Sequence, residues 1–160
     1  MDWYVKEDSV TPEEATNQLF RAARSGNAED AQAALAAGAD VNARDGRQRT
    51  PLHCAIEERH GDLARLLIEA GTDLRAQDDR LQTPLHWAAR TGLSDVARLL
   101  IERGANPATH DKWRMAPFAW ASQSGHTELA TFLLDAAKDR TRHADRILQR
   151  RERDPDLTRG

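Results

Sequence analysis

The sequence holds one cysteine, three lysines and eight aromatic side chains in 160 residues. The lone Cys54 excludes an internal disulfide framework and any cysteine-rich zinc site. No HExxH and no GxSxG occurs, and no glycine-rich loop opens a helix after a strand-like run. Metalloprotease, serine-hydrolase and phosphate-loop chemistries therefore lack their residues, and no catalytic, metal or cofactor site is expected. No stretch approaches 18 apolar residues, so no membrane-spanning helix is expected. The start, MDWYVKEDSV, has no basic run ahead of an apolar one and does not read as a secretory signal. Charge of one sign is also scarce. The net −3 makes no overall electrostatic case for nucleic acid or a membrane surface. With 39% hydrophobic and 31% charged residues the chain can bury a core and stay soluble, so a cytoplasmic protein is expected.

What the sequence does have is an internal period. Thr50-Pro51-Leu52-His53-Cys54-Ala55 returns 33 residues later as Thr83-Pro84-Leu85-His86-Trp87-Ala88. A further 33 leads to Ala116-Pro117-Phe118-Ala119-Trp120-Ala121, and 33 back from Thr50 lies Asn17-Gln18-Leu19-Phe20-Arg21-Ala22. Gly38, Gly71 and Gly104 keep the register, as do Asp45, Asp78 and Asp111. A second glycine column, Gly26, Gly92 and Gly125, is broken by Arg59.

The local chemistry fits a helical hairpin. The threonine caps a first helix, and the proline sits in its first turn, where the missing N–H costs little. Leu85, Ala88, Ala89 and Gly92 form one helical stripe, and small alanines let paired helices approach closely. Leu63, Leu66, Leu67 and Ile68, with their counterparts one period on, predict a second and more apolar helix. Thr11-Pro12-Glu13-Glu14 reads as another helix start, its early acids suiting the helix dipole. Ala137 stands where a closing glycine would fall. The last helix is therefore expected to run on through Thr141, Ala144 and Leu148 and to stop before Pro155.

The period and the T-P-L-H-x-A pattern resemble those of ankyrin-repeat proteins over about residues 15–137. The resemblance implies an all-α solenoid of helix-turn-helix units joined by β-hairpin-like loops, with a C-terminal helical extension. The expected organisation is an N-terminal segment 1–10, a repeat domain 11–137, a helical extension 138–154 and a tail 155–160. The repeats fall at about 11–49, 50–82, 83–115 and 116–137. Stacking is obligatory, since one unit cannot bury its apolar face alone. The resemblance also implies that His53 and His86 are structural, their rings bonding neighbouring backbone. Members usually carry glycine two residues before the threonine. Here Gln48, Leu81 and Arg114 occupy those sites, so stiffer or differently turned loop tips are expected. Arg59 implies either a left-handed residue or a shifted helix end, at a cost of roughly 1 kcal/mol. Pro107 removes one N–H from the third hairpin.

His53-Cys54 looks like a reactive pair, but adjacent helical residues do not face each other. Cys54 is expected to be a partly buried thiol at a variable position, and the periodic aspartates to cap the hairpins. What remains is a surface. The resemblance places the residues of the Cys54 column, and those three and four further on, on a concave groove beside the loop tips. The expected partner-binding residues are Trp87, Trp113 and Trp120, Arg80, Arg90 and Arg47, Met115, Glu57, Glu58 and Gln123. Tryptophan, arginine and methionine are enriched at protein interfaces. The expected function is non-catalytic binding of another protein, with Arg80 and Arg90 selecting carboxylates. One alternative is an inhibitor or immunity-type role against a specific enzyme or toxin. Another is nucleic-acid binding through residues 138–153, where seven basic residues face three acids. Nucleic acid is the less favoured partner, because no aromatic residue interleaves that segment to stack on bases.

Overall fold

The computed structural model describes residues 9–153, with side chains to residue 150. Most of the expected segment 1–10 and the tail 155–160 lie outside the described residues. Eight helices follow one another as four antiparallel pairs, with no strand among the described residues. Helices α1 (Pro12–Ser25), α3 (Pro51–Glu57), α5 (Pro84–Thr91) and α7 (Pro117–Gln123) form the first members. Helices α2 (Ala28–Ala36), α4 (Gly61–Glu69), α6 (Ser94–Glu102) and α8 (Thr127–Arg153) form the second. α1, α3, α5 and α7 stack on one another in chain order, and α2, α4 and α6 do the same. This is the expected all-α solenoid.

The caps are those the sequence implies. Thr11 makes a capping box with Glu14, and Thr50 and Thr83 make equivalent boxes with His53 and His86. In each box the histidine Nδ1 accepts from the threonine backbone N–H at 3.1 Å. Its Nε2 then donates to the residue just before the cap of the next first-layer helix, to the carbonyl of Gln82 or of Met115, each at 3.1 Å. One ring thus starts a helix and ties two units together. Leu19, Leu52, Leu85, Leu63, Leu67, Leu100 and Leu133 fill the core between the helix layers. α8 continues past Ala137 as expected and reaches Arg153. Arg140 still borders the hairpin side of the array, in a cleft of about 330 Å³ with Leu74, Gln77 and Asn106. From Thr141 to Arg150 every residue is exposed, including Ala144 and Leu148 of the expected stripe.

Gly26, Gly92 and the exception at Arg59 share one explanation, while Gly125 is left-handed at φ 83° with open space above it. Gly26 and Gly92 end their helices in the left-handed region, at φ 78° and 75°. Each also lies beneath a histidine ring from the following unit. A Cβ on Gly26 would meet the His60 ring at 2.6 Å, and one on Gly92 would meet His126 at 2.4 Å. After Arg59 the corresponding residue is Leu93, not histidine. Arg59 still adopts φ 63°, the first of the two expected outcomes. It offsets part of that strain by donating from its guanidinium to the Thr91 carbonyl. Gly92→Ala would combine a left-handed alanine with a close contact to the His126 ring. It should destabilise the array by about 2 kcal/mol, read from the urea midpoint. A cost of only about 1 kcal/mol, that of a left-handed alanine alone, would show that the ring moves aside freely.

The loop tips correct the expectation of an altered turn. Gln48, Leu81 and Arg114 all sit at φ near 60°, and the three tips share one geometry. In each, the left-handed residue donates its N–H to the aspartate carbonyl three places back, at 2.9–3.0 Å. Each aspartate Oδ1 also accepts two backbone N–H groups, from Arg47 and Arg49, from Arg80 and Gln82, or from Trp113 and Met115. The aspartate, not a glycine, fixes the turn. Left-handed non-glycine backbone costs about 1 kcal/mol per residue, within what two hydrogen bonds to a carboxylate can offset. Adjacent tips are joined by Asp79 N–H to Arg47 C=O and by Lys112 N–H to Arg80 C=O, at 3.0 and 2.9 Å.

Candidate interaction surface

The second oxygen of each tip aspartate reaches the first-layer helix that follows it. Asp78 Oδ2 accepts from the Trp87 indole N–H at 2.9 Å, and Asp111 Oδ2 from Trp120 at 2.7 Å. In the preceding unit the Cys54 thiol points at Asp45 Oδ2, at 3.9 Å. Cysteine and tryptophan at this column are thus not free variation. Each presents a donor to the carboxylate nine residues upstream. Gln82 Nε2 adds a further bond to Asp111 Oδ2 at 3.2 Å. Burial pushes the Asp111 carboxyl up, but the N–H donors of Met115, Trp120, Gln82 and Trp113 outweigh it and hold it below the usual carboxylate range.

These bonds correct two expectations. Trp87 is not an open groove residue: only 7% of its surface is exposed. Cys54 is fully buried, not partly, and burial pushes its thiol up to about 11. A thiol held protonated in this way is a poor nucleophile. His53 is buried too, and burial lowers it to about 4, so the ring stays neutral. Its two nitrogens are already engaged by Thr50 and Gln82.

The remaining aromatic surface gathers around the last two tips. Trp113 is 51% exposed and meets Trp120 edge-on, with ring centroids 6.1 Å apart at 72°. The Arg80 guanidinium lies 5.8 Å from the Trp113 centroid. The Arg90 guanidinium lies 5.1 Å from Trp87 and 5.5 Å from Trp120, spanning two indoles. Arg80, Trp113, Trp120, Arg90 and Trp87 thus form one continuous row of cations and indoles, in which each cation–aromatic contact is worth about 0.5–2 kcal/mol.

The other expected contacts fall outside this row. Glu57 is taken by an ion pair with Arg49, which also pairs with Asp45 at 2.9 Å. Met115 is half-buried, its N–H given to Asp111 and its carbonyl to His86. Arg47, Glu58 and Gln123 are exposed. The link that sequence reasoning missed is the pairing of tip aspartate and helix donor. Its signal was the constant nine-residue spacing of Asp45–Cys54, Asp78–Trp87 and Asp111–Trp120.

No helix among the described residues is long and apolar enough to cross a membrane. A search of the curated proteins finds no match. The family model for ankyrin repeats (3 copies) matches residues 19–111 and 79–145, which together span most of the sequence. With its 33-residue period, its four helix pairs and its T-P-L-H boxes in place, the chain belongs to the ankyrin-repeat family, whose members generally serve as protein–protein interaction modules.

Proposed function

We propose that this protein binds a partner protein, without catalysis, through the face built by the last two tips and helices α5 and α7. The observation that carries this reading is the row of indoles and guanidiniums, anchored at its base and open at Trp113. Trp87 and Trp120 are held by Asp78 and Asp111, so little side-chain freedom is lost when a partner seats on the row. Tryptophan and arginine in such a setting are the types that dominate binding energy. The buried Cys54 thiol and the fully engaged His53 support a non-catalytic role. For α8, only charge favours nucleic acid, and no aromatic lies within 138–153 to stack a base.

The direct test is capture of the partner from a lysate of the source cells by the wild type and by the Trp113→Ala, Arg90→Ala double variant. Neither residue is part of the core, so helicity should be unchanged. Partner recovery should fall at least about tenfold, as expected for loss of two central contacts. Equal recovery by a folded double variant would remove this face from the binding reading.

A further inference from the structure

The row has an electrostatic asymmetry. In the second unit, Arg49 is neutralised within the chain by Asp45 and Glu57. One period on, Gln82 replaces Arg49 and Arg90 replaces Glu57. The internal pair is gone and a guanidinium stands where the carboxylate was. Among the described residues neither Arg80 nor Arg90 has an ion-pair partner. Asp78 and Asp111 are each only 4% exposed and are occupied by backbone and indole donors. Lys112 and Arg114 lie exposed on the Trp113 tip, and Asp79 is the one acid on the two tips that is exposed. Among the described residues no hydrogen bond engages either guanidinium, so the N–H donors of Arg80 and Arg90 stay free beside the indoles.

We infer that this face reads carboxylates: its occupant is a partner segment carrying aspartate or glutamate beside a large apolar side chain. The carboxylates take the free N–H donors of Arg80 and Arg90, and the apolar group lies on the open face of Trp113. Charge complementarity selects the acidic residue, since the face offers Arg80 and Arg90 with exposed Lys112 and Arg114 beside them, against Asp79 as the single exposed carboxylate of the two tips. Trp113 selects the apolar neighbour by its exposed ring. The inference rests on the protein-binding reading and adds the chemistry of the partner.

The test uses blocked octapeptides titrated into the full-length protein, with the Trp113 indole N–H followed by NMR. One peptide alternates glutamate with leucine, one lysine with leucine, and one serine with leucine. The glutamate peptide should shift the Trp113 resonance saturably, and added salt should weaken it. The Arg80→Gln, Arg90→Gln variant should weaken it by about tenfold. The charge-matched Arg65→Gln, Arg98→Gln variant, altered on α4 and α6, should bind like wild type. Equal binding of the lysine peptide, or an unchanged affinity in the Arg80→Gln, Arg90→Gln variant, would overturn the carboxylate rule. If the serine peptide binds as well as the glutamate peptide and Trp113→Ala abolishes both, the carboxylate rule falls and protein binding at this face stands. If no peptide moves the Trp113 resonance, the carboxylate rule also falls, and the capture experiment alone decides the binding reading.

Discussion

Asp111→Ala is expected to cost the array about 3–5 kcal/mol and to dismantle the aromatic row at the same time. The carboxylate accepts four hydrogen bonds, from the Trp113 and Met115 backbone, the Trp120 indole and the Gln82 amide. Bonds to a charged group contribute about 1.5–3 kcal/mol each, and donors left unpaired in a closed site add to the loss. Not every donor stays dry after the change, which keeps the total below the simple sum. Arg114 would also lose the turn that supports its left-handed backbone. Urea unfolding gives the cost, and the Trp113 and Trp120 indole signals report the local change. Asp111→Asn keeps an oxygen for the two backbone donors but sets an amide N–H₂ against the indole and Gln82 donors. It should cost about half as much. A loss under 1 kcal/mol for the alanine variant would show that the tip holds without its carboxylate.

Stability should fall by roughly 3 kcal/mol between pH 6.5 and pH 4, and the main cause should be His53. Burial lowers its folded-state pKa to about 4, against 6.5 for a free ring. Between those values the unfolded chain binds the proton and the folded chain does not. The contribution is therefore complete above pH 6.5 and is lost as the pH falls towards 4. His86, lowered by burial as well, acts in the same direction. Asp45 and Asp111 are held below their ordinary value of 3.8, so their contribution fades only at still lower pH. Urea midpoints measured at half-unit steps should show the slope above pH 4. His53→Gln should be less stable at pH 7 and show a flatter profile. A wild-type profile that is level from pH 6.5 to 4 would contradict the neutral buried ring.

The helices and their boundaries were legible because threonine caps, prolines and leucine stripes are local signals that recur at one period. The continuation of α8 through Ala137 was legible for the same reason. The tips were not. A glycine rule predicted a changed turn at Gln48, Leu81 and Arg114, while the side chain of a residue three places earlier determines it. The helical position of Trp87 faces the groove and by itself predicts a surface residue. Its burial depends on Asp78, which lies in another element and becomes a neighbour only when the hairpin folds back. The row itself was partly legible, since Trp113, Trp120, Arg80 and Arg90 were grouped from their register. Register alone puts Glu57 beside them, and the structure adds its ion pair with Arg49.

The left-handed tip residues carry a consequence for the diversity of contacts this array can make. A glycine at such an apex has no side chain to present. Here Gln48 and Arg114 are exposed and Leu81 is 48% exposed, so each turn displays an amide, a cation or an aliphatic group at its summit. Because the aspartate holds the backbone, these three positions can change chemistry without changing the path of the chain. Removing glycine also narrows the conformations open to the unfolded tip, so less entropy is lost when the turn forms. The array thereby gains one adjustable letter per repeat in its recognition alphabet.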